Sequence, residues 1–169
     1  EFRHKYGTNN LQFPVFGAEN PDAVESFDTL ILRGGYNDSW SHTPSTTQYI
    51  RDQWARSTLL AMGQPQVHGR FVHVYLNGFY WGVYTMVERA NASFGADYGG
   101  GEPEDWDTLN TGAIRDGNRT AWTALQAQAR LVDRDDPRDS NDAFLRLLGR
   151  NPDGSENPEW ETLLDVDNY

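Results

Sequence analysis

Alternating apolar and polar positions near the start of the chain predict short β-strands. Residues 1–17 alternate in this way around FRHKYG and LQFPVFG, which indicates short extended pieces joined by a turn. The run FDTLILRGG, residues 27–35, is rich in apolar positions. It predicts a buried strand that ends in Arg33 and two glycines.

A helical period follows this strand. The recurring positions are Ile50, Trp54, Thr58 and Ala61. This spacing predicts a helix over residues 46–62, because positions three and four apart share one face of a helix. Thr46 is a suitable N-cap residue, and Gly63 ends the segment.

Two apolar runs on either side of Asn77-Gly78 predict a β-hairpin with a two-residue turn. Such a turn fixes the register, since it aligns the residues on each side of it. The predicted pairs are Leu76–Phe79, Tyr75–Tyr80, Val74–Trp81, His73–Gly82 and Phe71–Tyr84. Neither face of this hairpin is polar, so we expect both faces to be covered, as in the centre of a larger sheet.

The second half of the chain changes in character. A stretch rich in glycine and acids contains one short possible strand over residues 106–110. Helices are predicted in NRTAWTALQAQARLV and AFLRLLG, and a further helix is predicted to begin in EWETLLDVDNY. The pattern therefore predicts an α+β fold, with a β-rich lobe over residues 1–89 and the start of a mainly helical lobe over residues 90–169. Because the final residues continue an apolar period, we expect the domain to extend past them.

Composition narrows the classes of function. The 169 residues carry a net charge of −11, without the basic footprint of a nucleic-acid binder. Acidity suits either a soluble surface or a divalent-metal site. The absence of cysteine excludes disulfides and thiolate metal sites, and no run of about 20 apolar residues is present to span a membrane. The four histidines show no metal-ligand spacing.

Arg33 and Asp38 flank a pair of glycines and allow two interpretations each. Glycines permit close approach of the backbone to an anion and arginine supplies paired donors, so Arg33 with Gly34 and Gly35 could hold a phosphate. The alternative is a surface arginine before a flexible turn. Asp38 is either a metal or hydroxyl ligand, or a turn residue.

Two acidic residues complete the set of candidates. Asp52 lies in the first turn of the predicted helix, where it suits the helix dipole and could also pair with Arg33. Glu88 ends the second hairpin strand on a face expected to be buried, so its carboxylate requires a partner. The candidate partners are Arg33, Arg51 and Arg89, and a ligand amine or a metal would also serve.

Five motifs together resemble the spore coat protein H (CotH) kinase family. They are LILRGGYNDSW, YIRDQWARSTLLAMG, GRFVHVYLNGFYWGVYTMVER, EDWDTLNTG and LLDVDNY. Their order and spacing are similar to that family across residues 2–169, nearly the whole chain. The resemblance implies a divergent kinase-like fold, a secreted, cell-surface or spore-coat location, and a protein substrate.

The resemblance also implies a cofactor and site residues. ATP with Mg²⁺ or Mn²⁺ would be the cofactor. By analogy with the small lobe of a kinase, Arg33 would face phosphate, Asp52 would be its helix partner, and Glu88 to Asn91 would lie near the nucleotide base. Lys5 is a second candidate for the phosphate-facing cation.

No catalytic residue is assigned, because the family's catalytic and metal-binding aspartates and asparagines follow a segment like LLDVDNY. The resemblance therefore implies the nucleotide-binding part of a kinase that is inactive by itself. Two alternatives stay open. The first is a non-catalytic extracellular or coat-assembly module, and the second is a pseudokinase that binds nucleotide only.

Overall fold

The computed structural model describes residues 2–18, 20–42, 44–132 and 137–166. Two compact units make up the chain, Glu1–Trp106 and Asp107–Tyr169. The predicted boundary between a nucleotide-binding-like lobe and a helical lobe, after residue 89, stays a prediction. It divides the chain by function, whereas these two units are defined by how compactly the chain packs.

Helices and antiparallel sheets are both present, so the α+β prediction is confirmed at this level. The first unit contains β1 (Leu11–Gln12), β2 (Ser26–Phe27), β3 (Leu30–Arg33), α1 (Arg51–Ala61), β4 (Gly69–Leu76), β5 (Phe79–Glu88) and α2 (Ala92–Gly99). The second contains β6 (Thr108–Asn110), β7 (Ala113–Asp116), α3 (Thr120–Ala129) and α4 (Pro137–Leu147). Within the described ranges, β1 pairs with β2, β6 pairs with β7, and β5 lies between β3 and β4.

The predicted hairpin is present, but its register shifts after two pairs. Leu76 pairs with Phe79 and Tyr75 with Tyr80, as predicted. Trp81 then bulges out of the ladder, with Gly82 beside it at φ 134°. The remaining predicted pairs are wrong by one residue, and the observed pairs are Val74–Gly82, His73–Val83, Val72–Tyr84 and Phe71–Thr85.

The prediction that both faces of the hairpin are covered is wrong. Tyr75, Phe79, Tyr80 and Trp81 are all more than half exposed. Only the base of β5 is central and buried, where Val87 and Glu88 end the strand between β3 and the start of β4.

The predicted helix is shorter than expected and presents an unexpected face. It begins at Arg51 without a side-chain cap, so Thr46 is not its N-cap. The apolar residues Ile50 and Trp54 are mostly exposed, whereas Arg56 is its buried residue. Polar contacts hold this face of the helix against the sheet, since the Gln53 side-chain amide donates a hydrogen bond to the Gly69 carbonyl at 2.7 Å.

The hydrophobic core lies against the strands near the start of the chain. Val15, Phe16 and Phe27 form it, and the rings of Phe16 and Phe27 pack edge to face with centroids 5.5 Å apart. Leu30 and Met86 pack against this cluster. Since side chains alternate along a strand, Arg33 and Thr85 point from the opposite face of the sheet, the face that α1 covers.

Several predictions for the later segments need correction. α2 was not predicted, because glycines hide its helical period. Gly95 and Gly99 leave room for the Trp106 ring, which occupies the positions that their Cβ atoms would take. A second strand, β7, completes a hairpin with the predicted strand near residues 106–110. The predicted C-terminal helix is absent from residues 159–166, and residues 167–169 lie outside the described residues.

Candidate functional site

A cavity of about 410 Å³ opens where β3 ends beside the start of α1. Arg33 pairs with Thr85, and Thr85 pairs with Phe71, so these side chains form a row across the sheet at its floor. The lining residues are Arg33, Gly34, Gly35, Tyr36, Asp38, Tyr49, Arg51, Asp52, Phe71, Val83, Tyr84 and Thr85. The structure therefore brings together two of the four predicted site residues, Arg33 and Asp52.

Arg33 and Asp52 form the ion pair that the sequence allowed. Nη1 of Arg33 lies 2.7 Å from Oδ2 of Asp52, and about half of each side chain is exposed to solvent. Exposed pairs of this kind contribute little to stability. The Arg33 guanidinium can therefore leave its carboxylate for a ligand at low energetic cost.

Arg56 is a third member of this cluster, and sequence reasoning missed it. Its Nη2 lies 3.2 Å from the same Oδ2 of Asp52, and its side chain is only 9% exposed. Burial lowers the pKa of the Arg56 guanidinium, an effect that Asp52 opposes. Its Nη1 atom is buried without a hydrogen-bond partner in the described part of the chain. The four-residue spacing from Asp52 was the available signal, but it did not reveal which face of α1 is buried.

The loop between β3 and α1 is closed by Asp38. Its Oδ1 accepts hydrogen bonds from the Thr47 hydroxyl at 3.1 Å and from the Gln48 backbone N–H at 3.0 Å. Arg51 lies 3.7 Å from the same oxygen. The Gln48 N–H is the largest contribution that lowers the pKa of Asp38. The Asp38 carboxylate thus joins the two ends of a loop that runs from residue 38 to residue 48. This loop is longer than the turn predicted at Asp38.

Aromatic residues form the walls of the cavity around this charged centre. Tyr49 has a left-handed backbone at φ 60°, an uncommon conformation for a residue with a side chain. It packs edge to face on Trp40 with centroids 4.9 Å apart. A Cβ atom on Gly35 would lie 3.3 Å from the Tyr49 ring, so glycine at this position permits the close approach.

Glu88 lies elsewhere in the unit, and its partners differ from the expected arginines. Only 4% of it is exposed. Oε2 accepts from the backbone N–H of His68 at 2.6 Å and lies 2.9 Å from the ring Nδ1 of His68. Oε1 accepts from the Tyr98 hydroxyl at 2.5 Å. The prediction that Arg33, Arg51 or Arg89 pairs with Glu88 is therefore wrong, because a histidine and a tyrosine already satisfy the carboxylate.

Lys5 is not brought to the cavity. It lies in a short 3₁₀ turn, His4–Tyr6, with its Nζ 5.4 Å from the centroid of the Tyr6 ring. It does not line the cavity that contains Arg33.

Among the residues that the structure describes, no group of three or more His, Asp or Glu side chains could hold a metal ion. The lining carries two arginines and two aspartates, and the buried Arg56 behind Asp52 adds a third positive charge. This excess of guanidinium groups fits a phosphate group better than a bare cation.

Comparison with known proteins identifies the family. The family model described as CotH kinase protein matches residues 4–169. The chain belongs to the CotH kinase family. Its mixed α+β architecture with antiparallel sheets is consistent with a CotH domain. Membership in the CotH family indicates an atypical protein-kinase-like function and association with the spore coat.

The other comparisons add no relatives. No curated protein and no solved structure matches this CotH chain. Among the described residues, none of the helices is long and apolar enough to cross a membrane.

Proposed function

We propose that this CotH domain is the nucleotide-binding part of a secreted or coat-associated atypical protein kinase. The kinase would use ATP with Mg²⁺ or Mn²⁺ and phosphorylate Ser or Thr hydroxyls of a protein substrate. The observation that supports this proposal is the pair of Arg33 and Asp52. A strand-end cation meets a helix carboxylate beside two glycines, the arrangement expected of a kinase-like small lobe.

The shared carboxylate explains how Arg33 would bind phosphate. When its guanidinium turns toward the ligand, Asp52 keeps the buried Arg56 as its partner. No charge is then left without a partner, and an anion gains charge-assisted hydrogen bonds from Arg33. The two half-exposed side chains can move, whereas Arg56 is fixed by burial.

We further propose that the chain from Glu88 to Asn91 lies beside the nucleotide base. Internal donors occupy both carboxylate oxygens of Glu88, so its part would be to hold the end of β5 in place. The following backbone would contact the base. Lys5 is proposed as a second cation for the phosphates; it lies in an exposed turn and would have to move to reach the cavity, which it does not line in this structure.

ATP supplies the phosphoryl group in this proposal. We assign to these residues the binding and orientation of the nucleotide, and we assign no proton acceptor among them. In phosphoryl transfer most of the catalytic effect comes from positioning and from stabilising charge, which is the role that Arg33 and Asp52 fit.

A second candidate function is a non-catalytic module for assembly in a coat or at a cell surface. The exposed aromatic tip of the hairpin favours it, since Tyr75, Phe79, Tyr80 and Trp81 present a large apolar surface to solvent. Aromatic residues of this kind are enriched where proteins bind other proteins.

Calorimetric titration with ATP and Mg²⁺ or Mn²⁺ distinguishes these functions. We expect the wild-type chain to bind and Arg33→Ala to bind at least about tenfold more weakly, since a hydrogen bond between charged groups contributes roughly 1.5–3 kcal/mol. Arg130→Ala is the matched control. It removes the same charge from an exposed position at the end of α3 and should bind like wild type. If none of the three proteins binds ATP, the non-catalytic module is favoured.

A further inference from the structure

A second cavity in the first unit has a buried histidine at its floor. Its volume is about 400 Å³, which falls within the range of small-molecule sites. His68 and Tyr98 line it, both bonded to Glu88, and Phe94, Leu60 and Pro65 are among its apolar wall residues. Asn20, Asp22, Ser57 and Gln66 also line it. None of these residues belongs to the cavity at Arg33.

The hydrogen bonds of Glu88 fix the orientation and tautomer of His68. Nδ1 faces Oε2 of Glu88 at 2.9 Å and the Tyr98 oxygen at 3.2 Å. The Tyr98 hydroxyl donates its hydrogen bond to Oε1 of Glu88, while its oxygen accepts a hydrogen bond from the Val24 backbone N–H at 3.1 Å. Both oxygens around Nδ1 are therefore acceptors, so the ring proton must be on Nδ1.

The remaining ring nitrogen, Nε2, is then a hydrogen-bond acceptor when His68 is neutral. It has no hydrogen-bond partner among the residues that the structure describes, although 95% of His68 is buried. It is also absent from the fully buried polar atoms that lack partners in that part of the chain. Nε2 must therefore keep some contact with solvent, and the cavity is the space that His68 lines.

Proteins use the same arrangement for histidines that bind ligands or react. A carboxylate accepts the hydrogen bond of one ring nitrogen, and the other nitrogen faces an open space. A histidine with a purely structural role in a core would have both ring nitrogens hydrogen-bonded to the protein, because buried polar groups need partners. Here the carboxylate of Glu88 holds Nδ1, and the rings of Phe16 and Tyr98 pack against the His68 ring at a tilt, so His68 is held from three sides.

We propose that this cavity binds a small planar ligand that is neutral or cationic and donates an N–H or O–H hydrogen bond to Nε2 of His68. Phe94 and Tyr98, whose ring centroids lie 4.7 Å apart, supply aromatic surface for a planar ring. Asp22 on the lining and Glu88 beneath it disfavour an anion. The described residues offer no cluster of three metal ligands here, which disfavours a bare metal ion. The proposal does not rest on phosphate binding at Arg33, because the two cavities share no lining residue.

Indole and 1-methylindole test the proposal, because they differ in the N–H donor and have nearly the same shape. We expect indole to bind the full chain at least about tenfold more tightly in calorimetry, corresponding to one satisfied buried hydrogen bond. We also expect indole to shift the ¹⁵N resonance of His68 Nε2 in long-range ¹H–¹⁵N spectra. Equal affinity for the two probes, or no binding of either, would overturn the proposal.

Two variants locate the binding in this cavity without disturbing the Glu88 network. Ala61→Trp places a large side chain on a lining position and should weaken indole binding about tenfold or more. Ala55→Trp lies on the same helix at an exposed position that does not line the cavity, and it should bind like wild type. If Ala61→Trp binds indole as wild type does, the ligand is not in this cavity and the proposal fails.

Discussion

Asp52 binds two guanidinium groups through one carboxylate oxygen, and the two differ in their surroundings. Arg33 is half exposed and Arg56 is buried. A buried charge without a partner is far more costly than an exposed one. The carboxylate is therefore needed mainly by Arg56, and this leaves Arg33 available to a ligand.

This difference predicts an asymmetry between two substitutions. Asp52→Asn leaves Arg56 buried without a carboxylate, so we expect the free energy of unfolding to fall by about 2–3 kcal/mol. Arg56→Met removes the buried charge and leaves Asp52 paired with Arg33, so we expect a change of less than about 1 kcal/mol. Urea denaturation measures both, and an Arg56→Met protein less stable than Asp52→Asn would contradict this assignment.

Asp38 gives the stability a predictable dependence on pH. Its pKa is lowered chiefly by the Gln48 N–H, with the Thr47 hydroxyl and Arg51 acting in the same direction. A lowered pKa in the folded state means that the carboxylate stabilises the fold above its unfolded pKa, which is about 3.9. This stabilisation is lost as the pH falls through the lower, folded value.

We therefore expect Asp38→Asn to have a lower melting temperature than wild type at pH 7. The difference should begin to close as the pH falls below about 4, the pKa of the unfolded state, and should vanish once the pH is below the lower pKa of the folded carboxylate. Thr47→Val removes one donor and should show a smaller change of the same sign. A difference between wild type and Asp38→Asn that persists unchanged at pH 2 would show that the loop is held by other contacts.

At the scale of single elements, α1 and α2 show why a periodic pattern does not reveal which face of a helix is buried. The apolar positions of α1 predict a helix, yet its polar face meets the sheet through Gln53 and Arg56. In α2 the positions that face the Trp106 ring are Gly95 and Gly99, which have no side chain to contribute to a period. Trp106 occupies the space instead, and its Nε1 donates to the Gly100 carbonyl at 2.9 Å.

Gly99→Ala sets helix propensity against this packing. In a free helix the change would stabilise by about 1 kcal/mol. The new Cβ atom would lie 2.5 Å from the Trp106 ring, so we expect the clash to dominate and the protein to lose about 1–3 kcal/mol. Urea denaturation gives the sign, and the indole N–H resonance of Trp106 should shift as its hydrogen bond breaks. A more stable variant would show that Trp106 does not pack on α2.

Across the whole molecule, the features that depend on neighbouring residues in the sequence were predictable, and most contacts between distant segments were not. Asn77-Gly78 predicted the hairpin turn. The strand-end position of Arg33 and the first-turn position of Asp52 predicted the central ion pair of the candidate site. The bulge at Trp81 was not predictable, since it depends on how Gly82 bends the strand. His68 was missed as the partner of Glu88 because the two residues are 20 positions apart and only the paired strands bring them together.

The net charge of −11 makes the proposed nucleotide site a local exception to the negative electrostatic field of the molecule. An anionic ligand is repelled at long range, so its affinity must come from close contacts with guanidinium groups. We therefore expect Arg33 itself to bind the phosphates, in addition to any contact of the chain with the base and ribose.

Comparison of ATP with adenosine, each titrated into wild type and Arg33→Ala, tests this claim most directly. The two ligands share the base and the ribose. Comparing two ligands with two proteins therefore isolates the contribution of the phosphates to binding at Arg33. We predict that the preference of the wild-type protein for ATP over adenosine falls at least about tenfold in Arg33→Ala, while the affinity for adenosine is unchanged. An equal loss for both ligands, or an unchanged preference for ATP, would contradict the assignment of Arg33 as the phosphate-binding residue.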